Sequence, residues 1–143
     1  MSVHAFVSAA RELLGVKWRH RGRSLRGVDC VGLVALAGQR SALPNAIDVS
    51  GYGREPWDDQ LRKGCDERWG APVDDVRAGD IVLVRWGVRE PSHLAIVGDH
   101  PLGGLTVIHA HTLHGVIEQR LDARLRKAVV AVYRPWEAAR HVG

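Results

Sequence analysis

Cys30, His93 and His109 are the residues of this 143-residue chain whose types and settings could together do chemistry. A thiol is a strong nucleophile once deprotonated. An imidazole can take and return its proton, and a second polar group can hold that imidazole in one tautomer. Cys30 lies in Gly27-Val28-Asp29-Cys30-Val31-Gly32-Leu33-Val34-Ala35-Leu36-Ala37. A basic, glycine-broken run from Arg19 to Arg26 stops there, and Val31, Val34, Leu36 and Ala37 begin an apolar helical spacing. Asp29 suits an N-cap that accepts the N–H of Gly32. That places Cys30 in the first turn, where the positive end of the helix dipole favours a thiolate. The Asp29 carboxylate opposes that thiolate unless the cap neutralises it. Gly32 and Ala35 are small enough for another element or a substrate to come close. A buried cysteine that opens a helix can also be inert packing.

The two histidines sit in apolar strand-like runs, Ser92-His93-Leu94-Ala95-Ile96-Val97-Gly98 and Thr106-Val107-Ile108-His109-Ala110-His111. Alternation puts His93, Ala95 and Val97 on one face of their strand, and Val107, His109 and His111 on one face of theirs. His93 is then the candidate base. His109 is the candidate orienting group, with His111 as a second candidate on the same strand face. A rival chemistry is zinc held by Cys30, His93, His109 and His111, against which stands the lack of any Cys-x-x-Cys or His-x-x-x-His pair. His4, His20, His100, His114 and His141 fall in no comparable setting.

Positioning these residues requires helices first and strands after. Residues 2–14 carry an apolar stripe of Val3, Phe6, Val7, Ala10, Leu13 and Leu14, with Ser2 as cap and Gly15 as stop. The cysteine helix runs to about Arg40, and residues 41–56 are turn-rich. Pro56 to Leu61 reads as a helix start whose inner face carries Trp57, Leu61 and Cys65, the last without a histidine in any matching motif. From Val73 the period changes. The turn Asp74 to Asp80 enters a continuous apolar run, 81–86, that fits a strand covered on both faces. Strands follow at 93–97, 105–111, 116–121 and 128–133, and the last residues form a tail. The chain is a single α+β domain over 1–143 with its core in about 2–134, helices packed on an antiparallel sheet.

Composition is ordinary for a globular domain, with 45% hydrophobic and 25% charged residues, and the +4 net charge leans toward anionic partners. Lys17, Arg19, Arg21, Arg23 and Arg26 read as a solvated loop or, alternatively, as a loop attracting carboxylates. Two cysteines make no disulfide framework. No secretory leader and no membrane-length apolar run is visible, so synthesis in the cytoplasm is expected, with something else carrying the chain to any extracellular target.

Taken together, Asp29-Cys30-Val31-Gly32-Leu33-Val34, Gly79-Asp80-Ile81-Val82-Leu83, His93-Leu94-Ala95-Ile96-Val97-Gly98 and Ile108-His109-Ala110 resemble the successive motifs of the NlpC/P60 cysteine peptidases. The likeness is greatest to the phage-tail and gene-transfer-agent branch. It spans residues 11 to about 134. The resemblance implies a papain-like fold; no cofactor and no metal are expected. It further implies a Cys30-His93-His109 triad that cuts peptide stems of peptidoglycan, most often between γ-D-glutamyl and a diamino acid, through a thioester. It also implies a tail-like assembly as carrier and site of action at the cell wall. One departure stands out. Gly15-Val16-Lys17-Trp18 matches a Gly-x-x-Tyr motif whose tyrosine helps hold the oxyanion, and Trp18 can donate a hydrogen bond but not accept one. Trp18, Asp29 and His111 are the supporting candidates. The alternatives are an inactive structural component of a tail tip and, last, a nucleic-acid binder, for which interleaved aromatics and a binding motif are lacking.

Overall fold

The structure is a computed structural model that describes residues 3–43, 60–85 and 93–136. Helix α1 (Val3–Glu12) leads to a short hairpin of β1 (Arg23–Ser24) and β2 (Gly27–Val28), then to α2 (Cys30–Arg40) and α3 (Gln60–Trp69). Strands β3 (Ile81–Val84), β4 (His93–Asp99), β5 (Leu105–His111) and β6 (Gly115–Arg120) follow, then α4 (Ala123–Ala128) and β7 (Val129–Tyr133). The last five strands form one antiparallel sheet in the order β6-β5-β4-β3-β7. The predicted helix starts at 56–59, Trp57 among them, the apolar run beyond Arg85 and the tail beyond Trp136 lie outside the described residues.

Alternation along the strands divides the core in two. Ile81, Leu83, Leu94, Ile96, Ile108 and Ala110 pack with Phe6, Val7, Ala10 and Leu13 of α1 and its end, and with Val31, Leu33 and Val34 of α2. Val82, Val84, Ala95, Val97 and Val107 face the other way, against Leu121 and Leu125. β3 is buried at every residue, as a continuous apolar run requires. Helix α4, absent from the sequence-based elements, supplies Leu125; its Asp122 cap accepts the Leu125 N–H at 2.8 Å.

Two polar ties lock helices to sheet. Arg11 of α1 forms a two-pronged pair with Glu118 of β6, at 3.1 and 2.9 Å, and Thr106 donates to the same carboxylate at 2.7 Å. Tyr133 at the end of β7 donates to Asp66 of α3 at 2.6 Å, while Leu61, Cys65 and Trp69 form the buried side of α3.

Candidate active site

The start of α2 is built by its neighbours. Asp29 has extended backbone angles and its side chain accepts the Gly32 N–H at 2.8 Å, the predicted cap. The same carboxylate receives the Arg21 N–H at 2.8 Å and Arg23 Nη1 at 3.1 Å, and it is 4% exposed. Arg21 sits at φ 59, a left-handed conformation that a non-glycine residue holds only under constraint; the bond to Asp29 is that constraint. The basic run forms a hairpin over the helix start: Lys17, Arg19, Arg21 and Arg26 are exposed, as a solvated segment requires, while Arg23 is pinned inward on Asp29. Its approach explains Gly32, because a Cβ there would collide with the Gly22 carbonyl oxygen. The small residue admits another element, one of the two occupants the sequence allowed.

Trp18 lies beside this start. The segment around it pairs with Val28 through Val28 N–H to Lys17 O at 2.9 Å and Arg19 N–H to Val28 O at 3.0 Å. Its indole is half-buried against the main core and stacks on His20, with 6.4 Å between ring centres.

The Cys30 thiol, half-buried and free of any disulfide, takes a hydrogen bond from the main chain of Leu94, the residue after His93. The tip of α2 thus meets the beginning of β4. Burial pushes the thiol up to about 11, with the Asp29 charge adding to the rise; the bonds from the Leu94 and Val31 main chain and the nearby Arg23 oppose it. The helix start was expected to favour a thiolate. Desolvation outweighs the dipole, and the resting group is a neutral thiol. Cys65 is fully buried and its thiol is likewise pushed up by burial, as fits a packing residue.

His93 Nε2 lies 2.9 Å from His109 Nδ1, with the rings edge to face at 83°. His109 Nε2 in turn lies 2.9 Å from Gln119 Oε1. His93 and His109 share a sheet face because Val97 pairs with Val107, and the β5–β6 register sets Gln119 opposite Val107, diagonal to His109. Burial, with the neighbouring His109 and His111 acting in the same direction, lowers the His93 imidazole to about 3. His109, 5% exposed, is also lowered by burial, while its bond to Gln119 works the other way. Both rings are neutral at pH 7.

His111 goes elsewhere. Its Nδ1 accepts the N–H groups of Leu113 at 3.1 Å and His114 at 3.3 Å, and its ring stacks on His114. It closes the β5–β6 turn, meets the His109 ring edge to face with 6.5 Å between ring centres, and acts on His93 through its charge. The zinc alternative required these rings to converge. His109 instead has both nitrogens engaged, and no three His, Cys, Asp or Glu side chains among the described residues form a metal-binding group.

Asp80, in the Gly79-Asp80 motif, has a structural task. It is 1% exposed, accepts the Arg77 N–H at 2.7 Å, and receives Arg134 Nε at 2.9 Å and Nη2 at 3.0 Å. Sequence reasoning missed Gln119 and Arg134. Gln119 is visible only once the β5–β6 register is fixed, and Arg134 only once β7 lies beside β3.

No protein-family model and no curated protein matches the sequence. The fold, by contrast, matches solved structures. The NlpC/p60 domain of the peptidoglycan hydrolase SagA superposes with a TM-score of 0.58 at 19% identity, over 93% of this chain and 98% of that one. An NlpC/P60 family protein from Bacillus cereus gives 0.66 at 17% identity, over 94% of this chain and 40% of that one. A Staphylococcus aureus protein described as similar to lipoprotein, NLP/P60 family, gives 0.58 at 16%, over 92% and 40%. This chain spans well under half of the latter two. In its helices, its antiparallel sheet and their order, the chain has the papain-like α+β fold of NlpC/P60 domains.

Proposed function

We propose that this chain is a cysteine peptidase acting on the peptide stems of peptidoglycan. The observation that carries the proposal is the junction of the Cys30 thiol with the main chain next to His93, whose far nitrogen is held by His109. With Nε2 turned to His109, proton exchange with Cys30 falls to His93 Nδ1. In this scheme the thiol proton passes to Nδ1 as Sγ attacks the scissile carbonyl, so the neutral resting pair becomes charged only in the attack. The Cys30 main-chain N–H holds the oxyanion. Collapse breaks the C–N bond, the leaving amine takes the proton from His93, and a thioester remains. Water then attacks the thioester with His93 as base, releasing the carboxylate and restoring the thiol.

Peptidoglycan as the substrate class is supported by likeness to the NlpC/p60 domain of a peptidoglycan hydrolase. The γ-D-glutamyl–diamino acid bond, carriage in a phage-tail or gene-transfer-agent particle and action at the cell wall are parts of the proposal that rest on motif resemblance. A second reading is a structural tail component, favoured by Trp18 in place of tyrosine and by a thiol that burial keeps neutral. Digestion of purified sacculi by the wild type, Cys30→Ala and His93→Ala separates the two. Release of new amino groups that both substitutions abolish supports the peptidase. No release by the wild type supports the structural component.

A further inference from the structure

We propose that Gln119 is a positioning residue that sets the tautomers of His109 and His93, extending the Cys30-His93-His109 array by one member. This inference rests on the peptidase reading above.

Each hydrogen bond in the chain fixes the next. The Gln119 oxygen, Oε1, lies on His109 Nε2 at 2.9 Å and can only accept. The proton of neutral His109 is therefore on Nε2, and its Nδ1 carries a lone pair. Nδ1 lies 2.9 Å from His93 Nε2, so the His93 proton is on Nε2 and donates to it. His93 Nδ1 is left as an acceptor, the state a base needs to receive the thiol proton. A reversed Gln119 amide would invert the whole series. His109 would carry its proton on Nδ1, His93 Nε2 would accept, and the His93 proton would lie on Nδ1, where it blocks the transfer. Neither histidine determines this direction alone, because an imidazole pair is symmetric with respect to which ring donates. The third group breaks the symmetry. The chain also suits the charged state. When His93 takes the thiol proton, Nε2–H still donates to His109 Nδ1, and the Gln119 oxygen continues to polarise His109 in the favourable sense.

Gln119 is exposed on β6 and its main chain is held by the ladder to Val107, so its side chain can be changed without opening the core. Gln119→Met keeps the length and removes the acceptor; Gln119→Glu keeps an acceptor. Nitrogen NMR of the imidazole rings reports the tautomers directly. Iodoacetamide labelling of Cys30, located by mass spectrometry and followed at about pH 7.5, reports the chemistry. We expect wild-type His109 and His93 as single Nε2–H tautomers. In Gln119→Met the tautomers are mixed and labelling is about fivefold to tenfold slower, the loss of one hydrogen bond. Gln119→Glu restores both. If Gln119→Met leaves tautomers and labelling unchanged while His93→Ala slows labelling, the positioning role is wrong and the peptidase reading stands. An Nδ1–H tautomer on wild-type His109 likewise overturns it. If His93→Ala leaves labelling unchanged, the peptidase reading falls and this proposal falls with it.

Discussion

Replacing Asp29 should separate the stability of the site from its reactivity. Its carboxylate accepts three hydrogen bonds, from the Gly32 N–H, the Arg21 N–H and Arg23, in an almost fully buried position. Asp29→Ala removes a helix cap, for about 1 kcal/mol. It strands the Arg21 N–H, for roughly 1–2 kcal/mol, and removes the partner of a half-buried arginine, for about 1 kcal/mol. The sum is about 3–4 kcal/mol, or a fall in melting temperature of roughly 10–15 °C for a domain of this size. Asp29→Asn keeps the acceptor that caps Gly32 and loses the charge, so about 1–2 kcal/mol is expected. The thiol responds in the opposite sense. The Asp29 charge raises the Cys30 thiol while Arg23 lowers it, so Asp29→Asn should make the thiol more acidic in a less stable protein. Urea unfolding followed by circular dichroism gives the first quantity, and the pH dependence of Cys30 alkylation gives the second. Asp29→Ala within 1 kcal/mol of wild type, or a less acidic thiol in Asp29→Asn, would refute the account of how this helix start is held.

Three further outcomes follow from the same structure. Gly32→Ala, which in an ordinary helix interior would gain about 1 kcal/mol, should lose about 1–3 kcal/mol by urea unfolding, because the new methyl meets the Gly22 carbonyl backbone. Asp80→Ala removes the buried carboxylate that receives Arg134 Nε and Nη2 and leaves Arg134 only the more exposed Asp75, bonded by Nη2 at 3.1 Å, so it should cost about 2–3 kcal/mol by urea unfolding; Arg134→Leu in the same background should recover part of that loss. Lowering pH should destabilise the fold from about pH 6.5 downward. His93 and His109 stay neutral when folded and take protons when unfolded, so stability is full above the ordinary imidazole value and falls with pH, at up to ~1.4 kcal/mol per pH unit for each histidine. Unfolding free energies that are equal at pH 7 and pH 5 would contradict the burial of this pair.

Much of this was legible in the sequence because single periodicities carried it. The Asp29 cap and the apolar spacing after it give α2, and period-two alternation gives the faces of β4 and β5. What escaped depends on pairing between distant segments. The hairpin of β1 and β2 has no alternating pattern to announce it; it exists because Asp29 gathers the Arg21 N–H and the Arg23 guanidinium. The neutral thiol escaped for a different reason. A helix start favours a thiolate by local charge, whereas the burial that overrides it arises only when β4 closes over α2. Helix α4 is too short and too basic to show a stripe, and only its Asp122 cap marks it.

Both elements that bring the site together begin immediately after a buried aspartate. Asp29 precedes α2 and its thiol; Asp80 precedes β3, the strand that pairs with β4 from Ile81↔Ile96 to Val84↔His93. Each carboxylate ties down a main-chain N–H of the turn it closes and an arginine from outside its element, Arg23 in one case and Arg134 in the other. A carboxylate with fixed partners orients a chain end more tightly than apolar contact does, because its bonds are directional and costly to leave unmade. The thiol and the imidazole therefore have separately anchored positions, one set by the hairpin over α2 and one by the sheet through β3. Neither anchor requires the other residue of the pair. Exchanging Cys30 for alanine should accordingly leave the His93–His109–Gln119 chain intact in the imidazole nitrogen spectra, and a rearranged pair in that variant would show that the thiol, not the sheet, holds the histidines.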